Sequence, residues 1–125
     1  MKTEQNKNRK LKHFVEVMFT SYLECAAWAD TPEYTESGLD FSPCAEESAI
    51  SDCMRFAGIN WELIKECQPE QVGHDFWLTR NHHGAGFWDR PEIYGGEDNA
   101  EELTKSAYSF GERCIFEHEG TLIIE

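Results

Sequence analysis

No apolar run in this 125-residue chain approaches the roughly 20 residues that span a bilayer, so no transmembrane helix and no membrane partner are expected. No C-x-x-C pair occurs among Cys25, Cys44, Cys53, Cys67 and Cys114. Their odd number and wide spacing set aside a disulfide framework and a zinc ribbon, and with no leader-like start they point to mostly buried thiols in a reducing cytoplasm. The H-E-x-x-H, G-x-G-x-x-G and G-x-x-x-x-G-K-[ST] patterns are all missing, so no cofactor and no resident metal are expected.

Positive charge is also scarce. Lys and Arg number 11 against 24 Asp and Glu, for a net charge of -13. Lys2, Lys7, Arg9, Lys10 and Lys12 against Glu4 make the first thirteen residues +4, which leaves -17 on the remainder. Such a body repels nucleic acid and anionic lipid and attracts basic protein surfaces. A soluble, self-repelling exterior accounts for the same numbers without any partner. Hydrophobic residues at 40% and aromatics at 13% nevertheless exclude a wholly disordered chain. The length suits one domain with one ordinary core.

What is present reads first as helix. After a polar stretch over residues 1–8, expected to fray, Leu11, Phe14, Val15, Met18, Phe19, Tyr22, Leu23 and Ala26 follow helical spacing, so a helix is predicted over about 9–28. Asp30-Thr31-Pro32 should end it, with a loop over residues 30–41. Ser42-Pro43 supplies an N-cap and a first-turn proline for a second helix whose buried side uses Ala45, Ala49, Ile50, Cys53, Met54 and Ala57, with Gly58 as the stop. Asn60 caps a third short segment through Trp61, Leu63, Ile64 and Cys67, closed by Pro69.

The stretch from His74 to Arg90 holds three of the five histidines and two of the four tryptophans. Phe76-Trp77-Leu78-Thr79 has strand character, Asn81-His82-His83-Gly84 reads as a turn, and Phe87-Trp88 as a returning strand ended by Pro91: a β-hairpin. Asp98-x-x-Glu101 resembles a capping box for a helix over about 98–111, and residues 113–124 read as a second hairpin around His118-Glu119-Gly120. The expected fold class is α+β, with three to four helices packed on a small antiparallel sheet of two β-hairpins, residues 9–125 forming one domain.

If the central hairpin forms, Trp77 and Trp88 can wall a pocket, Arg80 and Arg90 can hold a small anionic or nucleotide-like ligand, and Asp75 and Asn81 can orient it. His83 with Asp89 is then the candidate proton-transfer pair. A purely structural reading uses the same residues, with the tryptophans as core and the Arg and Asp side chains paired to each other. A metal reading through His74, His82 and His83 is weaker, because adjacent histidines on an extended strand point to opposite faces.

The run Gly73-His74-Asp75-Phe76-Trp77-Leu78-Thr79-Arg80-Asn81, continued by His83-Gly84-Ala85-Gly86-Phe87-Trp88-Asp89-Arg90, resembles the central motif of small, uncharacterised acidic proteins of bacteriophages and mobile elements. The resemblance covers about eighteen residues and implies a genomic setting, in a bacterial host cytoplasm, without an activity. His82 stands where that motif leads one to expect glycine, which argues against a requirement for positive φ at this position. Two functional expectations follow. The first is a non-enzymatic protein that binds a host protein with a basic surface, for counter-defence or as a partial DNA mimic; the second is a small-ligand or catalytic pocket at residues 74–90.

Overall fold

The computed structural model describes residues 2–31 and 38–125, with side chains described from Glu4 onward. Helix α1 runs from Lys2 to Asp30. It starts well before the expected residue 9, since no proline or glycine interrupts the polar stretch, and residues 4–10 remain exposed on it. Its apolar stripe is as expected: Phe14, Val15, Met18, Tyr22, Leu23 and Ala26 are buried.

Helix α2, Pro43–Ile59, starts on the Ser42 cap, whose hydroxyl accepts from the Ala45 amide at 3.1 Å, with Pro43 in the first turn. Its buried face departs from expectation at two places. Ile50 and Met54 are exposed, while Asp52 and Phe56 are buried in their stead. Gly58 does not stop the helix. Asn60 turns the chain, its amide nitrogen donating to the Phe56 carbonyl and to the Ser106 hydroxyl. The single turn α3, Trp61–Ile64, follows.

The central expectation is overturned here. Pro69 does not close a segment; it opens helix α4, Pro69–Arg80, and residues 76–79 are helical rather than a strand. The local signals for helix were a proline at the first position with Glu70 in the first turn. They were outweighed because Asp75, Thr79 and Arg80, all buried, break the apolar periodicity that marks a helix face. Val72, Gly73, Phe76 and Trp77 are buried as well, so α4 is enclosed on nearly every side, as befits the central helix of a small core. It packs chiefly against α1, where Gly73 permits the crossing: a Cβ there would run into the Met18 carbonyl oxygen and the Ser21 hydroxyl.

Helix α4 ends at Asn81 and His82, where the chain reverses. The His82 amide donates to the Thr79 carbonyl at 3.0 Å and the His83 amide to the Leu78 carbonyl at 2.9 Å, the paired bonds of a Schellman motif. His82 takes the left-handed position with φ 56°, although no glycine supplies it, so positive φ occurs here contrary to expectation. A 3-10 turn over Phe87–Asp89 and the short helix α5, Pro91–Tyr94, replace the expected returning strand.

Helix α6, Glu97–Ser109, starts without the side-chain cap expected from Asp98, but Gly111 marks its end as expected, with φ 77°. The second hairpin is as expected. Strands β1, Ile115–His118, and β2, Thr121–Ile124, pair antiparallel with Ile115 opposite Ile124, through a turn in which Glu119 and Gly120 both have positive φ. The described residues thus form an α+β fold of six α-helices and one small antiparallel sheet, not two hairpins. The core is aromatic. Phe56 stacks on Phe76 at 4.3 Å and on Phe87 at 5.4 Å, and Tyr22 meets Trp77 edge-on at 5.2 Å. No helix among the described residues is long and apolar enough to cross a membrane.

Candidate functional site

Helix α4 distributes the expected site residues among three separate clusters, each built on one carboxylate. The first surrounds Asp75, fully buried on α4. One of its oxygens accepts from Arg90 Nε at 3.1 Å; the other accepts from the Tyr94 hydroxyl at 2.6 Å and from Gln71 Nε2 at 3.1 Å. Burial, then the Asp75 carboxylate, push the Tyr94 phenol well above its ordinary pKa. Arg90, one of the two expected anion contacts, is thereby occupied.

The second cluster surrounds Arg80. Its guanidinium is fully buried and donates to the Asp52 carboxylate at 2.7 Å, the Tyr22 hydroxyl at 3.0 Å and the carbonyls of Phe110 and Gly111, both at 2.8 Å. It also lies against the Phe76 ring, 5.2 Å from the centroid. Arg113 and Arg55 approach the same Asp52 carboxylate at 3.6 and 4.0 Å. Asn81 ties this corner to α4, accepting from the Arg113 amide at 2.8 Å while donating to the Trp77 carbonyl.

The third cluster is partly open. Trp77, fully buried, donates its indole N–H to Asp30 at 2.5 Å, and His83 Nε2 lies 3.1 Å from the other oxygen of the same carboxylate. The His83 and Asp30 side chains keep about a third of their surface in solvent, at 30% and 32%. Cys25 lies nearby on α1; burial, then Asp30 and Asp75, push its thiol up to about 12.

The pairing expected between His83 and Asp89 is replaced by His83 with Asp30. Asp89 instead accepts from the Gly86 amide at 2.9 Å and caps the 3-10 turn. The two tryptophans do not wall one pocket either: Trp77 is in the core, whereas Trp88 is 47% exposed beside α6. The helix is the physical reason, since a hairpin would place side chains on two faces of a ribbon and α4 points them in several directions.

Every buried side-chain nitrogen and oxygen among the described residues has a hydrogen-bond partner. The described residues hold no group of three His, Cys, Asp or Glu side chains placed for a metal ion, and His74, His82 and His83 do not converge. Of the five thiols, Cys25 and Cys53 are buried, Cys67 is partly so, and Cys44 and Cys114 are exposed, fewer inside than expected.

Asp30, Asp52, Tyr22 and Tyr94 belong to these clusters and escaped sequence reasoning. Asp52 had a usable signal, lying with Ala45, Ala49, Cys53 and Phe56 on the buried stripe of α2, where an acid demands a partner. No family model, curated protein or solved structure matches the chain.

Proposed function

We propose that this chain is a non-enzymatic acidic protein that docks on a basic surface of a host protein, in the bacteriophage or mobile-element setting its central motif implies. The observation that carries the reading is the fate of its positive charge. Every lysine and arginine beyond residue 13 already has a carboxylate of the same chain within ion-pair distance: Arg55, Arg80 and Arg113 on Asp52, Arg90 on Asp75, Lys65 on Glu62 and Lys105 on Glu101. Among the described residues every acid except Asp52 and Asp75 is exposed. Asp52 and Asp75 thus take Arg80 fully into the core and hold Arg90 and Arg113 part-buried, while Arg55 stays exposed, and the exterior beyond residue 13 is left predominantly acidic, the charge pattern of a partial DNA mimic.

The test is affinity capture from bacterial lysate at about 50 mM salt, followed by binding of the purified partner with and without competing DNA. The expected partner has a basic surface, releases the chain as salt rises and loses its DNA when the chain binds. Failure to recover any partner at low salt ends the reading.

A second reading keeps a ligand or proton-transfer role for the central stretch and is supported by the His83 and Asp30 pair alone. A histidine held 3.1 Å from a carboxylate, with part of both side chains in solvent, has the geometry of a general base. It requires that His83→Ala abolish a measurable small-molecule interaction while the protein stays folded. Arg80, fully buried and saturated by internal partners, takes no part in this version.

A further inference from the structure

Trp88 is one of four large aromatic side chains left well exposed among the described residues, with Trp28, Tyr108 and Phe116, and it is the one that walls a groove edged by two carboxylates. The core absorbs Phe56, Phe76, Phe87, Trp61, Trp77, Tyr22 and Tyr94, yet the Trp88 indole stands 47% exposed beside them. It forms one wall of a groove of about 240 Å³ between the 3-10 turn and α6, lined further by Pro91, Ala100 and Thr104, with Glu97 and Glu101 on its rim. Ala100 and Thr104 are small and buried, so the floor lies low between them. Glu97 and Glu101 are four residues apart on one helix, which puts both carboxylates on the same side of the groove.

We propose that this groove receives an arginine or lysine side chain from a basic segment of a protein partner. The inference rests on the acidic-docking reading above and gives it an address. The groove's size suits one long side chain: about 240 Å³ is below the roughly 300–1,000 Å³ of sites that enclose a small molecule. Charge decides its sign. An indole face beside two carboxylates attracts a cation, and Asp98 and Glu102, exposed on the same helix, add to the field.

Arginine suits the site better than lysine, because its planar guanidinium stacks on the indole and forks toward a carboxylate at once. Lys105, 3.1 Å from Glu101, is the cation to be displaced. Both of its partners are largely exposed, and a pair of that kind is held weakly enough to exchange. Arg90 does not compete, since Asp75 holds it.

The experiment titrates the full, isotope-labelled chain with an acetylated hexa-arginine peptide at about 20 mM salt and follows the four indole N–H resonances by NMR. The Trp88 resonance is expected to shift, whereas that of Trp28, exposed on α1, is not. Glu97→Gln with Glu101→Gln, both on the surface and outside the core, should weaken binding about tenfold, as should Trp88→Ala. Glu117→Gln with Glu119→Gln on the distant hairpin should change it less than about twofold. Binding that leaves Trp88 unmoved, or that weakens equally in both double variants, overturns the groove and leaves acidic docking intact. No binding of the peptide at all overturns both.

Discussion

Arg80 and Asp52 meet at 2.7 Å across the interface of α4 and α2, the guanidinium fully buried and the carboxylate nearly so. A charge in such a place is tolerable only while its partner and its hydrogen bonds remain. Arg80→Ala is therefore expected to destabilise the fold by about 3–5 kcal/mol, measured by urea denaturation. Arg80→Lys should recover little, because an ammonium cannot reach Asp52, Tyr22 and the carbonyls of Phe110 and Gly111 together. An Arg80→Ala protein as stable as the parent would show that the buried ion pair adds nothing net to folding.

The crossing of α1 and α4 gives a second prediction. Gly73→Ala adds one methyl group against the Met18 carbonyl and the Ser21 hydroxyl, which are held in place by α1 and by the Ser21 bond to the Glu70 carbonyl at 2.6 Å. The helices must separate. A loss of about 1–3 kcal/mol is expected, against the gain an alanine brings to an open helix. A higher midpoint of thermal unfolding in the alanine variant would refute the close packing.

At His82 two effects oppose each other, so a pair of variants is needed. The left-handed backbone costs a non-glycine residue about 1 kcal/mol, while the imidazole stacks on Tyr108 at 4.5 Å. His82→Ala loses the stack and keeps the strain; His82→Gly loses both. The glycine variant is expected to be more stable than the alanine variant by about 1 kcal/mol. Equal stabilities would mean that the turn does not need φ 56° in solution.

Alkaline pH should unfold the protein early. Burial pushes the Cys25 thiol from 9.0 up to about 12 and also raises Tyr22, Cys53 and Tyr94 above their ordinary values of 9.0 to 10.0. The unfolded chain gives up these protons first, so their stability contribution is whole below pH 9.0 and falls as pH climbs through the raised values. Each group removes about 1.4 kcal/mol per pH unit once its unfolded form has ionised. Melting temperatures measured from pH 8 to 11 should fall, and Cys25→Ala should flatten the slope; a flat profile in the parent counts against buried thiols and phenols.

Elements whose apolar residues alone define a face were legible from sequence. Helix α1, the Ser42 cap, the Gly111 terminus and the C-terminal hairpin all follow from local pattern and turn chemistry. Helix α4 was not, because its buried stripe mixes Phe76 with Asp75, Thr79 and Arg80. A buried ion pair looks solvent-exposed to any rule that equates charge with surface, and its partner, Asp52, lies 28 positions away in the chain. Half of each cluster was named from sequence, Asp75 with Arg90, Arg80 with Asn81 and Trp77 with His83, but the partners Tyr94, Asp52, Tyr22 and Asp30 and the grouping itself were not. His83 was singled out with the wrong partner, Asp89, since Asp30 is brought to it only by the packing of α1 on α4.

The exposed opening turns of α1 bear on how any encounter begins. Lys7, Arg9, Lys10 and Lys12 sit at one end of a 29-residue rod whose other end is embedded in an anionic mass. The molecule is thus a strong permanent dipole as well as a polyanion. Torque from a cationic target would swing the lysine-bearing tip outward before any surfaces touch, so approach would be pre-aligned, and neutralising those few cations should deepen the net negative charge and speed association at low salt while loosening its orientation.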